Sequence, residues 1–73
     1  MPKLFSLYWY DPEGNQHRER HLQPLVDCKE AFDRLTTGPA AAMGIVTRIK
    51  ITDSLDCLAA DLENTKAGWV RHL

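Results

Sequence analysis

Three groups of side chains in this 73-residue sequence are of types that could do chemistry. The first is His17, His21 and Cys28. Histidines four apart share a face of a helix or a strand, and with a thiolate they suggest a metal site. Structural zinc needs a fourth ligand and closer cysteine spacing, however, and Cys28 and Cys57 stand 29 residues apart with no further cysteine near either. The two histidines are therefore read as solvent-facing strand residues. The second group is Asp53, Asp56, Asp61 and Glu63, four acids with no base between them. It lacks the glycine and the twelve-residue spacing of a calcium loop, and turn chemistry accounts for Asp53 and Asp56. The third is basic and aromatic: Arg18, Arg20, Arg48 and Lys50, bordered by Tyr8 and Tyr10 if all six reach one sheet face. Such a patch can contact phosphates and bases, or an acidic protein surface.

Covalent chemistry is poorly served. Cys28, read as the first residue of a helix, would have its thiolate favoured by the helix N-terminus, but it shares an apolar face with Phe32 and Leu35 and reads as a buried structural thiol. No phosphate-cradling glycine loop, nucleophile elbow or paired-acid arrangement is present, so no cofactor and no enzymatic activity are expected.

The elements that must position these groups follow from periodicity. Leu4 to Tyr10 alternates as a strand, Phe5, Leu7 and Trp9 on one face and Leu4, Ser6, Tyr8 and Tyr10 on the other. Asp11-Pro12-Glu13-Gly14-Asn15 is a turn, and Gln16 to about Leu22 returns as an edge strand, Arg18 and Arg20 pointing one way and His17, Glu19 and His21 the other. Asp27 with Glu30 three residues later predicts a capped helix reaching Thr36 or Thr37, with Cys28, Ala31, Phe32 and Leu35 inward. Gly38 is expected to end it in a left-handed conformation, Pro39 blocks continuation, and Ala40 to Met43 add one more turn. After Gly44, Ile45, Thr47, Ile49 and Ile51 alternate with Val46, Arg48 and Lys50 in a strongly β-branched strand. Asp53 to Asp56 turns the chain into a strand from Cys57 to Glu63, with Leu58, Ala60 and Leu62 on one face. Asn64 to Gly68 turns again, and Trp69 to His72 is short enough for only an edge strand. The order ββαβββ predicts one α+β domain over residues 1 to 73, a single helix packed on a small, mostly antiparallel sheet.

Composition bounds the remaining possibilities. With 44% hydrophobic and 26% charged residues the chain is globular in type. A chain of this mass should expose roughly 4,600 Å² when folded, which leaves a thin core and favours binding over catalysis. No apolar run approaches a membrane span, and Met1 to Phe5 lack the long apolar stretch of a secretory signal, so a cytoplasmic protein with reduced cysteines and no membrane partner is expected. A net charge of −1 argues against non-specific nucleic-acid binding, since such affinity rests on accumulated phosphate contacts.

The run Gly44-Ile45-Val46-Thr47-Arg48-Ile49-Lys50-Ile51-Thr52-Asp53, then Asp56-Cys57 and Trp69-Val70, resembles small α/β orphan proteins of phages and mobile elements. These include anti-CRISPR proteins that inhibit type I surveillance complexes. The overlap spans roughly residues 27 to 70, and the resemblance implies inhibition without catalysis, by occupying a nucleic-acid channel or a subunit surface. It carries over no functional residue. The resulting expectation is a protein-binding module whose partner is a protein, such as a subunit of a nucleic-acid-binding complex. Arg18, Arg20, Arg48, Lys50, Tyr8 and Tyr10 are its expected contact residues; the alternative, of opposite sign, is that Asp53, Asp56, Asp61 and Glu63 are the working surface, imitating phosphates before a basic channel. A small homodimeric assembly protein and a direct nucleic-acid binder are the alternatives.

Overall fold

The structure is a computed structural model that describes residues 3 to 73, so Met1 and Pro2 of the opening segment lie outside it. Its elements run β1 (Leu4–Tyr10), β2 (Gln16–Pro24), α1 (Leu25–Thr37), α2 (Pro39–Ala42), β3 (Arg48–Asp53), β4 (Leu58–Thr65) and β5 (Gly68–Arg71). The strands form one sheet in the order β2-β1-β3-β4-β5 with every neighbouring pair antiparallel, which is the expected α+β architecture. Leu7, Ala31, Val46, Ile49 and Ile51 make the buried cluster between sheet and helix, with Phe5, Trp9, Phe32 and Leu35 packed around it. The inward alternation of β1 and the Cys28, Ala31, Phe32, Leu35 stripe of the helix are as the periodicity predicts. The accessible surface is 4898 Å², slightly above the size expectation, because the molecule is elongated, 39 × 20 × 19 Å.

Several local expectations are overturned. Asp27 does not cap α1 and forms no capping box with Glu30: the helix begins at Leu25, directly from the end of β2, and Pro24 precedes it with no side-chain cap. Asp27 sits in the first turn, where its charge complements the helix dipole. Cys28 is accordingly the fourth helical residue, not the first. Gly38 is not left-handed either, with φ −79° and ψ 171°. Glycine fits there for a different reason: a Cβ would lie 2.6 Å from the carbonyl oxygen of Arg34, which accepts the Gly38 amide.

The third strand starts at Arg48, not at Ile45. Val46 turns inward and is buried while Ile45 is half exposed, because the segment after α2 must cross to the sheet before it can pair. Thr47 pins that crossing by donating its amide and hydroxyl to the Tyr10 carbonyl, at 2.8 and 3.0 Å. Asn64, expected in a turn, lies in β4 and donates its side-chain amide to the Ala41 and Val46 carbonyls, at 3.1 and 3.0 Å, so it fastens the α2 segment to the sheet.

Candidate functional site: the open sheet face

Residues paired directly across strands share a face, so the register decides which side chains meet. Across β2, β1, β3 and β4 one row on the face away from α1 reads Arg18, Tyr8, Lys50 and Asp61; the next reads Gln16, Tyr10, Arg48 and Glu63. Five of the six expected contact residues, Tyr8, Tyr10, Arg18, Arg48 and Lys50, therefore share this face. Arg20 does not join them. The register passes from Tyr8 opposite Arg18 to Leu7 opposite Arg20, leaving Glu19 as an extra residue in a β-bulge. The bulge turns Arg20 to the helix side, where Glu19 accepts from Arg34 of α1 at 2.7 Å and the Arg20 charge acts on the Cys28 thiol. A second irregularity sits opposite Ser6, whose buried hydroxyl accepts the Leu22 amide at 3.0 Å while Leu22 adopts φ 49°. A third, between Ile51 and Thr52, pairs Leu58 with Thr52, so Leu58 leaves the face of Ala60 and Leu62 and is 41% exposed.

The cations on the face are not equivalent. Arg48 donates from Nε and Nη2 to the two oxygens of Asp61, both at 2.8 Å, and Asp61 is buried. Hydrogen bonds from Arg48 hold the Asp61 carboxyl below its ordinary range against the opposing pull of burial, and Asp61 in turn raises the Arg48 guanidinium. Arg48 is thus neutralised within the sheet. Arg18 and Lys50 make no ion pair among the described residues. Lys50 Nζ sits 5.6 Å from the centre of the Tyr10 ring, a cation-π contact that holds the amine over the sheet.

The acids expected as a separate stretch do not form one. Asp53 accepts the amides of Leu55 and Cys57 in the β3–β4 turn, at 2.9 and 3.0 Å, and Asp56 takes φ 61° there, as turn chemistry requires. Asp61 is held by Arg48, and Glu63 lies 2.9 Å from His72, the residue after β5. Basic and acidic groups are interleaved on one sheet face, positive toward β2 and compensated toward β5. At the Tyr10 end this face runs into a shallow depression of about 350 Å³ lined by Tyr10, Asp11, Thr47, Arg48 and Glu63.

The chemical candidates separate cleanly. His17 stacks on Trp9 with ring centres 4.1 Å apart and meets Asp11 at 2.9 Å, so it serves the β1–β2 turn. That contact, with amides from Asn15 and Glu13, lowers the Asp11 carboxyl. His21 lies instead beside Arg18, at 3.4 Å. No cluster of three ligating side chains occurs among the described residues. Cys28 is fully buried, its thiol pushed up chiefly by burial and its Sγ 3.5 Å from the Phe5 carbonyl, while Cys57 is exposed and the two are not bonded. Titration with a chromogenic disulfide should therefore modify one thiol per native chain rapidly, and Cys57→Ser should remove that reaction; rapid reaction of two would show Cys28 to be accessible.

No family model, curated protein or solved structure matches the chain. No helix among the described residues is long and apolar enough to cross a membrane.

Proposed function

We propose that the protein is a non-enzymatic docking module whose open sheet face engages a protein surface, with Arg18, Tyr8 and Lys50 as the central contacts. The observation that carries this reading is the row itself: two unneutralised cations flank a half-buried tyrosine across three adjacent strands. Tyrosine offers contact area at little entropic cost, and flanking cations select an acidic partner and speed its approach. A protein partner suits the face better than a nucleic acid. Arg48 is spent on Asp61, and Asp61 and Glu63 share the face, so few cations are left to displace counterions from a phosphate backbone. The target class we propose is a subunit of a nucleic-acid-handling complex, in keeping with the resemblance to phage-borne inhibitors over residues 27 to 70.

The test uses surface reversal. Arg18→Glu with Lys50→Glu should cost about 1 kcal/mol or less of stability, since neither residue makes an ion pair, although Lys50 gives up its contact with Tyr10 and the new carboxylate stands opposite Asp61. It should cut recovery of a partner from host extract, and affinity for that partner, at least tenfold. Undiminished capture by the double variant would refute the assignment. Tight binding of single-stranded oligonucleotides, falling steeply with salt, would replace it with direct nucleic-acid binding.

A further inference from the structure

The helix side of the sheet is only half covered. Five strands about 4.8 Å apart span roughly 19 Å, while a packed helix occupies 8–10 Å. α1 lies along β1 and β2, and α2 with its following loop covers the Asn64 end of β4. Between α1 and the far strands an open groove of about 370 Å³ remains. Leu25 and Phe32 of α1 form one wall, with Ile51, Ala60 and Leu62 beneath. The small side chains of Ala59 and Ala60 keep the floor low, so an incoming residue can approach the strands closely. Among the described residues, Lys29 and Arg71 are the charged ones lining the groove; both are exposed, and Arg71 donates its Nε to the Leu73 oxygen at 2.7 Å. Among the described residues no carboxylate side chain lines it, although Asp27, Glu30 and Asp33 lie on the same helix.

We infer that this groove receives an amphipathic helix of a partner protein, its apolar stripe laid beside α1 and its acidic flanks facing Lys29 and Arg71. The width of bare sheet is one helix, the lining is apolar, and the charge at its margins has one sign. Leu25, Lys29 and Phe32 follow at i, i+4 and i+7, so the α1 wall runs parallel to its axis and matches a helix packed alongside. The contact is small, below the size of a standard stable interface, and its affinity belongs in the micromolar range. This surface is opposite the Tyr8 face and stands independently of the function proposed for that face.

The probe is a fluorescein-labelled 16-residue model helix with leucines at i, i+3, i+4 and i+7 and glutamates flanking the stripe, compared by anisotropy with a twin carrying lysines instead. The glutamate helix should bind the intact chain saturably, with Kd on the order of 10 µM, and the lysine twin at least tenfold more weakly. Lys29→Glu with Arg71→Glu should invert that preference, a result misfolding cannot mimic. Ala59→Trp, a change at an exposed position of the floor, should block both, and Arg18→Glu with Lys50→Glu should change neither. The inference is overturned if the glutamate helix fails to saturate by about 1 mM, or if both helices bind alike. Displacement of the peptide by an equal concentration of dodecanoate overturns it in favour of a small-amphiphile site.

Discussion

Replacing Leu7 with alanine is expected to remove about 3 kcal/mol of stability, a large part of the roughly 4 to 11 kcal/mol available to a domain of this size. Leu7 is completely buried at the centre of β1, with β2 and β3 on either side and Ala31 of α1, Val46, Ile49 and Ile51 in the same cluster. Truncation loses the transfer free energy of three carbons and leaves a cavity that neighbouring strands, fixed by their ladders, can fill only in part. At about 4–8 °C per kcal/mol for a chain of this length, the melting midpoint should fall by roughly 12 to 24 °C. Leu55→Ala is the control, since Leu55 is 81% exposed in the β3–β4 turn and its loss should stay within about 0.5 kcal/mol. A shift below about 5 °C for Leu7→Ala would mean that the cluster is not the stabilising core.

Replacing Asp61 with asparagine should cost about 2 kcal/mol at neutral pH. Two charge-assisted hydrogen bonds at 2.8 Å are lost or weakened, and Arg48 is left beside a neutral amide on a partly desolvated sheet face. The figure lies below that for a fully buried pair because the Arg48 side chain is 39% exposed and water can recover part of its solvation. The pH dependence has a definite sign. The folded-state carboxyl of Asp61 titrates below its ordinary value of 3.8, so the pair's contribution is complete above that value. It is lost as pH falls through the lower folded-state value. Urea unfolding of both proteins at pH 7 and near pH 3 should show the difference shrinking in acid; a constant difference would locate the effect of the substitution in packing.

The same pair explains why part of the candidate site was illegible in the sequence. Arg48 and Asp61 are 13 residues apart, and each reads by itself as a solvated strand residue. They meet because β3 and β4 are antiparallel neighbours in a register that places Asp61 beside Lys50 and two residues from Arg48's own partner, Glu63, on the same face. The basic patch and the acidic stretch, separate along the chain, are neighbours in the sheet. Tyr8, Tyr10, Arg18, Arg48 and Lys50 do share one face because strict alternation holds along β1 and β3 and at the start of β2. Arg20 was misplaced by one bulged residue, since a period-two reading carries every side chain beyond a bulge to the wrong face. Leu58 was misplaced in the same way. The groove beside Lys29 and Arg71 had no local signal, because it is the space left where one helix meets five strands.

The sequence by itself determined the number, kind and order of the main elements, the inward stripe of α1 and the turn roles of Asp53 and Asp56. Those features rest on periodicity and side-chain stereochemistry within a few residues. Only the tertiary structure decided which charges are free and which are spent, and which half of the sheet the helix leaves bare. Strand register, bulges and the lateral position of a helix are set by contacts between residues distant in the chain, and no local pattern encodes them.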